Sequence, residues 1–259
     1  MPEETYRTII EQIARRKSSS VTVFADFCRM VACALAMQTR EEEYFEAIKG
    51  YSKDELELLS KAMGLLVMET EKAPFTDVLG TYYTEIGSRS SQKDRGEFYT
   101  PQHVSQLMAK ITIDAKEIIE RGIPITLNEP ASGAGGMILA IAEEFAPEIV
   151  DGKPQGKSYV DLLRVTCQDI NPIAVDMCYI NTTLWGIPAH IIQGNALSNE
   201  IVHSWKNIHW LRVCEDERQS FLQMMRLITN PPKKPSEAPE PFTAPIKGNQ
   251  VEFDFDLTP

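Results

Sequence analysis

Between residues 123 and 195, short apolar runs alternate with stretches of helical spacing, and this alternation constrains the fold more than any other feature of the chain. Ile123-Pro124-Ile125-Thr126-Leu127, Leu162-Leu163-Arg164-Val165-Thr166-Cys167 and Ala189-His190-Ile191-Ile192 read as strands. Met137 to Phe145 and Ile173 to Trp185 lie between them, with apolar residues at helical steps. Strand, helix, strand, helix, strand predicts a parallel sheet covered by helices, because parallel neighbours need a long crossover and a helix supplies it.

The loops of this unit carry the chemistry. The first strand runs into Asn128-Glu129-Pro130-Ala131-Ser132-Gly133-Ala134-Gly135-Gly136, where glycine lets the backbone turn tightly and approach a ligand. Ile138 breaks the dinucleotide GxGxxG pattern and no Gly-Lys-Ser/Thr follows, which disfavours a nicotinamide cofactor and an ATP phosphate loop. The second strand ends in Gln168-Asp169-Ile170-Asn171-Pro172, at the position where an acidic residue takes ribose hydroxyls in nucleoside-binding α/β folds. Asp169 lies 36 positions after Gly133, a longer gap than a dinucleotide fold shows. The stretch Asp151 to Ser158, rich in Gly, Lys and Pro, accounts for the excess as an insertion. A helix N-cap or a surface acid is the plain alternative for Asp169. The third strand ends in Gly194-Asn195-Ala196-Leu197, which adds a side-chain amide. Three loops at the carboxyl ends of strands thus converge on one crevice, where open α/β sheets bind ligands.

Residues 1 to about 95 are predicted to be helical. Phe24, Phe27, Cys28, Val31 and Leu35 share one helix face, and Leu56, Leu59, Met63, Leu66 and Val67 another. Ser52-Lys53-Asp54-Glu55 is a capping box, and Gly50 and Gly80 sit where helices are expected to stop. Pro231, Pro232, Pro235, Pro239, Pro241 and Pro245 mark the region from about 229 onward as a tail that cannot pack a core.

Composition narrows the function classes. With 259 residues, 43% hydrophobic and 24% charged, the chain is long enough to bury a real core. Its formal net charge of -11 argues against a module that binds nucleic acid through a broad basic surface, so contact with DNA or RNA must be local, through a partner, or absent. The five cysteines form no CxxC pair, and the N-terminus lacks a signal-peptide pattern; reduced, mostly buried thiols in a cytoplasmic protein are expected. Four scattered histidines offer no metal-binding pair, so no metal is expected. The longest apolar stretch, Val21 to Met37, is interrupted by Asp26 and Arg29 and is not a membrane span.

Gly96-Glu97-Phe98-Tyr99-Thr100-Pro101, followed by Val104, Leu107 and Met108, resembles the G-[QE]-[FY]-[YF]-T-P segment of N6-adenine DNA methyltransferases. The match is closest to the modification subunits of type I restriction systems and to related small phage and plasmid proteins. The resemblance implies a Rossmann-like α/β core that uses S-adenosylmethionine. It implies that Phe98, Tyr99, Thr100 and Pro101 line the cofactor pocket. Glu129, Pro130, Ala131, Ser132, Gly133 and Gly135 resemble the loop D-P-A-C-G-[ST]-G-G, which holds the methionine end of the cofactor. Asp169 matches the acid that takes the ribose, and Asn195, in a segment resembling G-[DN]-[TS]-L, the polar residue at the adenine ring. The motifs follow the family's order over about residues 75 to 200. Three regions are then expected: a helical N-terminal domain over residues 1–95, a cofactor-binding domain over residues 96–228 and a disordered tail over residues 229–259.

The family's catalytic motif, [DN]-P-P-[YFW], is matched incompletely. Its Asn or Asp and a proline carbonyl accept hydrogen bonds from the exocyclic amine of adenine, and the aromatic stacks on the flipped base. Asn230-Pro231-Pro232-Lys233 is the candidate, with lysine in place of the aromatic. It follows Phe221 to Ile228, which reads as a helix as readily as a strand, and a helix end entering the Pro-rich tail is the alternative. Ile208 to Val213 is the other candidate for a fourth strand, without a proline pair. The sheet is expected to be short, with four or five strands. Arg89, Lys93 and Arg95 form a small basic cluster for phosphate contact or a solvated loop, and Phe98, Trp185, Trp205 and Trp210 are candidates for base stacking or core packing. Gln250 to Leu257 loosely resembles peptides that bind sliding clamps.

The function the resemblance implies is methyl transfer from S-adenosylmethionine to N6 of adenine in DNA, with DNA and a specificity or restriction subunit as partners. The alternatives are a regulatory or anti-restriction module that keeps the cofactor fold without the catalysis, a subunit that needs its partner, and methylation of a protein glutamine or of RNA.

Overall fold

The computed structural model describes residues 4–17, 19–88, 100–146, 148–150, 153–214, 219, 222 and 224–226. The chain divides into one compact unit up to Gln219 and a second from Ser220.

The first unit begins with α1 (Tyr6–Ala14), α2 (Ser20–Leu35), α3 (Glu41–Ile48), α4 (Lys53–Lys72) and α5 (Val78–Ser88). Their apolar faces meet as the spacing predicts. Phe24, Phe27, Cys28 and Val31 are buried and Leu35 half-buried, and Leu59 and Leu66 are buried between half-buried Leu56, Met63 and Val67. Tyr6 stacks on Phe27 and meets Tyr82 edge-on, and Phe24 meets Tyr82 edge-on and stacks on Tyr83. The capping box at Ser52 is formed: its hydroxyl accepts from the Glu55 N–H and the Glu55 carboxylate accepts from the Ser52 N–H. Gly80 does not stop a helix. It lies in the first turn of α5, where its N–H donates to the Asp77 carboxylate at 2.8 Å, an N-cap bond.

Two further helices, α6 (Gln102–Thr112) and α7 (Ala115–Arg121), lead into β1 (Ile125–Glu129) and α8 (Gly136–Glu144). A hairpin of β2 (Glu148–Val150) and β3 (Lys153–Gln155) fills the insertion. Then come α9 (Tyr159–Leu162), β4 (Leu163–Asp169), α10 (Pro172–Leu184), β5 (Ala189–Asn195), β6 (Glu200–Lys206) and α11 (Ile208–Val213). The main sheet has the order β1-β4-β5-β6 among the described residues. The first three strands are parallel, as the alternation of runs predicts. β6 pairs antiparallel with β5, so the sheet is mixed.

The expectation of a strand over Ile208 to Val213 is corrected: the segment is the helix α11. Asn207 decides this, since its side chain accepts from the Trp210 N–H at 3.0 Å and caps a helix start. Its amide also ties Ile187 and Ala189 to the helix entry. In the second unit, Leu222 and Met224–Arg226 are helical. No helix among the described residues is long and apolar enough to cross a membrane.

α10 joins the helical region to the sheet. It is buried almost all round, including Met177, Tyr179 and Ile180, because it lies against β4 and β5 on one side and α2 and α5 on the other. Asp176 on α10 is bound by Arg40 Nη2 (2.8 Å) and Arg29 Nε (2.5 Å). Arg40 is wholly buried, also holds Glu43, and lies 4.0 Å from the ring centre of Trp205 on β6.

Candidate functional site

The Gly-rich turn is held by four connections. The Gly133 N–H donates to Asp169 Oδ2 at 2.9 Å, and the Ser132 N–H donates to the Gln168 carbonyl at 2.9 Å, so the turn is fastened to the end of the neighbouring strand β4. The Gly135 N–H closes a tight turn on the Ser132 carbonyl at 2.8 Å. The Asn181 side-chain amide, from α10, donates to the Ala134 carbonyl at 2.8 Å and to Asp77 Oδ1 at 2.9 Å. Gly133 and Gly135 have φ of 53° and 88°, the left-handed region that glycine enters without a Cβ penalty. At Gly135 a Cβ would also stand 3.2 Å from Cys178 Sγ.

Asp169 therefore has a structural role. Its Oδ2 takes Gly133 and its Oδ1 takes the Asn171 N–H at 2.9 Å, fastening the turn to the start of α10. Each carboxylate oxygen retains acceptor capacity for a ligand hydroxyl. Asn195 lies half-buried at the end of β5, where its Oδ1 accepts from the Leu197 N–H (3.0 Å) and more distantly Ser198 (3.4 Å). That leaves its Nδ2 as the group it can offer a ligand. Gly194 beside it is required by close packing, since a Cβ there would lie 2.0 Å from the Glu200 carbonyl oxygen.

A cavity of about 230 Å³ opens at this turn, lined by Glu129, Ala131, Ser132, Gly133, Ala134 and Gly136 together with Thr100 and Ser105. An adjoining cavity of about 310 Å³ shares Thr100, Ser105 and Gly136 and adds Pro101. Thr100, Pro101, Glu129, Ala131, Ser132 and Gly133 are thus brought together from both sides of the predicted pocket. Ser132 (7% exposed) and Ser105 (1%) are buried here with no hydrogen-bond partner for their hydroxyls among the described residues. A buried hydroxyl without a partner costs about 1–3 kcal/mol, so two on one cavity wall mark a place where a polar ligand belongs.

Pro130, Gly135, Asp169 and Asn195 are not among the residues that line these two cavities. Phe98 and Tyr99, the basic residues Arg89, Lys93 and Arg95, the candidate catalytic residues Asn230, Pro231 and Pro232, and the segment 250–257 lie outside the described residues. The three tryptophans pack: Trp185 stacks on Phe75 at 4.5 Å, Trp205 lies against Arg40, and Trp210 sits beside His190. Sequence reasoning missed Asp77, which lines both cavities, along with Ser105 and Asn181. Asp77 three residues before Gly80 is legible as an N-cap, but nothing local signals that it faces a site whose other wall comes from far along the chain.

The profile described as N-6 DNA Methylase matches residues 75–234. The methylase subunit of the type I restriction enzyme MpnII from Mycoplasma pneumoniae is 27% identical over 182 residues, 68% of this chain. Those residues are only 29% of the relative's length, so the chain spans less than a third of that curated protein. Among solved structures, a Listeria monocytogenes protein described as a class I S-adenosylmethionine-dependent methyltransferase covers 76% of the chain and 54% of its own, with 10% identity and a TM-score of 0.40. The methyltransferase subunit of a type I restriction-modification system from Streptococcus thermophilus covers 71% and 37%, with 19% identity and a TM-score of 0.32. Overlays that loose carry no weight of their own; the assignment rests on the profile, which spans more than half the chain and takes in the Gly-rich turn, the cavity at it and Asp169. The chain belongs to the N-6 DNA methylase family.

Proposed function

We propose that the chain binds S-adenosylmethionine, the methyl donor its family implies, and serves methyl transfer to N6 of adenine in DNA within a methyltransferase of the type I restriction-modification kind. The observation that carries this reading is the cavity at the Gly-rich turn, with two buried serine hydroxyls lacking partners and Asp169 fastened beside it. The residues fit the cofactor. Asp169 has acceptor capacity for ribose hydroxyls, and Asn195 Nδ2 can donate to the adenine ring. The N-terminus of α8 offers backbone N–H groups to a carboxylate. Glu129 and Ala131 shape one wall, and Thr100 and Pro101 the other; the resemblance assigns Pro130, Phe98 and Tyr99 to the same cofactor. When bound, S-adenosylmethionine supplies a methyl group activated by its sulfonium. Asn230 and the Pro231 carbonyl are assigned to accept hydrogen bonds from the adenine amine. DNA and a specificity subunit are the proposed partners.

One observation favours a second reading. β1 carries the Gly-rich turn yet is an edge strand among the described residues, whereas open α/β sheets bind ligands in a crevice with strands on both sides. A cofactor-binding module that needs a partner for catalysis accounts for a Gly-rich turn carried by an edge strand.

Expression in a host without adenine methylation, with N6-methyladenine quantified by mass spectrometry, tests the proposal. Methylation that disappears in Asp169→Ala supports catalysis by this chain. Its absence, with calorimetric S-adenosylmethionine binding intact, supports the second reading. A folded chain that binds no S-adenosylmethionine overturns both.

A further inference from the structure

Asp77 is a half-buried carboxylate placed between the first turn of α5 and the first turn of α8. Its Oδ1 caps α5 through Gly80 and also takes the Asn181 amide. One oxygen thus does the capping, and serine or asparagine would do it without a charge. The other, Oδ2, lies 2.1 Å from where a Cβ on Gly80 would stand and 3.9 Å from one on Gly136, so two glycines leave it room beside the cavities it lines. Among the described residues no lysine, arginine or histidine pairs with it. Burial pushes its carboxyl up to about 6, the behaviour of a desolvated acid without a counter-ion. The same cavity is lined by Ser105 and Ser132, whose buried hydroxyls have no partner among the described residues, and by Gly136 at the N-terminus of α8.

A carboxylate that shares a cavity with hydroxyls and helix N–H groups is complementary to a zwitterion, which brings both an ammonium and a carboxylate. We infer that Asp77 accepts the α-ammonium of the cofactor's amino-acid arm, while Ser105 and Ser132 donate to that arm's carboxylate. The inference rests on the cofactor reading above and adds to it the residues that select the amino-acid arm. Asn181 is then a positioning residue, holding Asp77 and the Ala134 carbonyl with one amide.

The test compares S-adenosylhomocysteine with 5′-methylthioadenosine, the same nucleoside without the amino-acid arm, by calorimetry on the full chain. The wild type should prefer S-adenosylhomocysteine. Asp77→Asn should weaken S-adenosylhomocysteine by about 10- to 100-fold, the loss expected of a charged hydrogen-bond partner, and leave 5′-methylthioadenosine within about threefold. Ser105→Ala should act in the same sense at about 3- to 10-fold, and serves should Asp77→Asn not fold. Asp169→Ala should weaken both ligands equally. Equal loss of both ligands in Asp77→Asn, or no loss, overturns the inference while the cofactor reading stands. A wild type that binds neither ligand overturns the cofactor reading and the inference with it.

Discussion

At the scale of single residues, the site is built from groups that serve the fold with one atom and face the cavity with another. Asp77 shows what such a placement costs. Its folded-state carboxyl, raised by burial to about 6, lies above the 3.8 of the free side chain. The folded state therefore favours the protonated form. That contribution to stability is complete below about pH 4 and is lost as pH rises through about 6. Asp77→Asn should accordingly melt near the wild type at pH 4 and above it at pH 8, a comparison thermal denaturation at the two values makes directly. Ligand binding should show the opposite sign. An ammonium is drawn to the ionised acid, so S-adenosylhomocysteine affinity should rise between pH 5 and pH 7 while 5′-methylthioadenosine stays flat. The groups facing Asp77 are the Asn181 amide, the Leu79 and Gly80 N–H groups, Cys28 on α2, and Glu85 and Glu129 on the cavity walls. The Cys28 thiol is pushed up by burial and stays neutral throughout that range.

The glycines make a second argument at this scale. Gly135 combines a φ of 88° with a Cβ position 3.2 Å from Cys178 Sγ. Gly135→Ala should cost about 1–2 kcal/mol for the left-handed backbone alone. A urea titration measures the loss, and the distorted turn should weaken S-adenosylmethionine binding as well.

At the scale of elements, α10 links the site to the rest of the unit. One of its faces holds the Gly-rich turn through Asn181, and another receives Arg40 and Arg29 at Asp176. Arg40 is wholly buried and Asp176 is 2% exposed, so removing one partner leaves the other charge poorly compensated. Arg40→Ala should lower the unfolding free energy by about 3–5 kcal/mol, toward the lower end because Arg29 remains. The shift of the urea midpoint checks it. Much of the element pattern was legible in the chain. β1, β4 and β5 lie where apolar runs predict strands, because burial of one face fixes its residues as apolar, Leu163, Val165 and Cys167 in β4 and Ala189 and Ile191 in β5. β6 went unread because Glu200, His203, Ser204 and Lys206 make it largely polar and all of it but half-buried Trp205 is exposed, so burial wrote no pattern into it. α11 was misread as a strand because six residues are too few to show a helical period, and the cap at Asn207 was the signal to use.

At the scale of the whole molecule, the helices before residue 88 and the sheet share one core. α2 lies along α10, Phe24 stacks on Tyr83, and the Tyr83 hydroxyl accepts from the Asn171 amide at the head of α10. A chain begun at residue 96 would expose the apolar face of α10 that α2 and α5 cover. Near-UV circular dichroism of that shortened chain should show loss of fixed tertiary packing, while the full chain retains it.

Residue order alone was enough for the α/β class, the order of the main loops and the convergence of the Gly-rich turn with Asp169 at the strand ends. Those features are local: a turn needs its glycines within a few residues, and a strand end places its next side chain at the sheet edge. It took the packed chain to bring Asp77, Ser105 and Ser132 to one cavity. Asp77 reaches Asn181 across 104 residues of chain, and both serines read as ordinary polar positions until packing removes water from their hydroxyls. Charge without a counter-ion and hydroxyls without partners exist only once the chain has folded around them, and no spacing in the sequence records them.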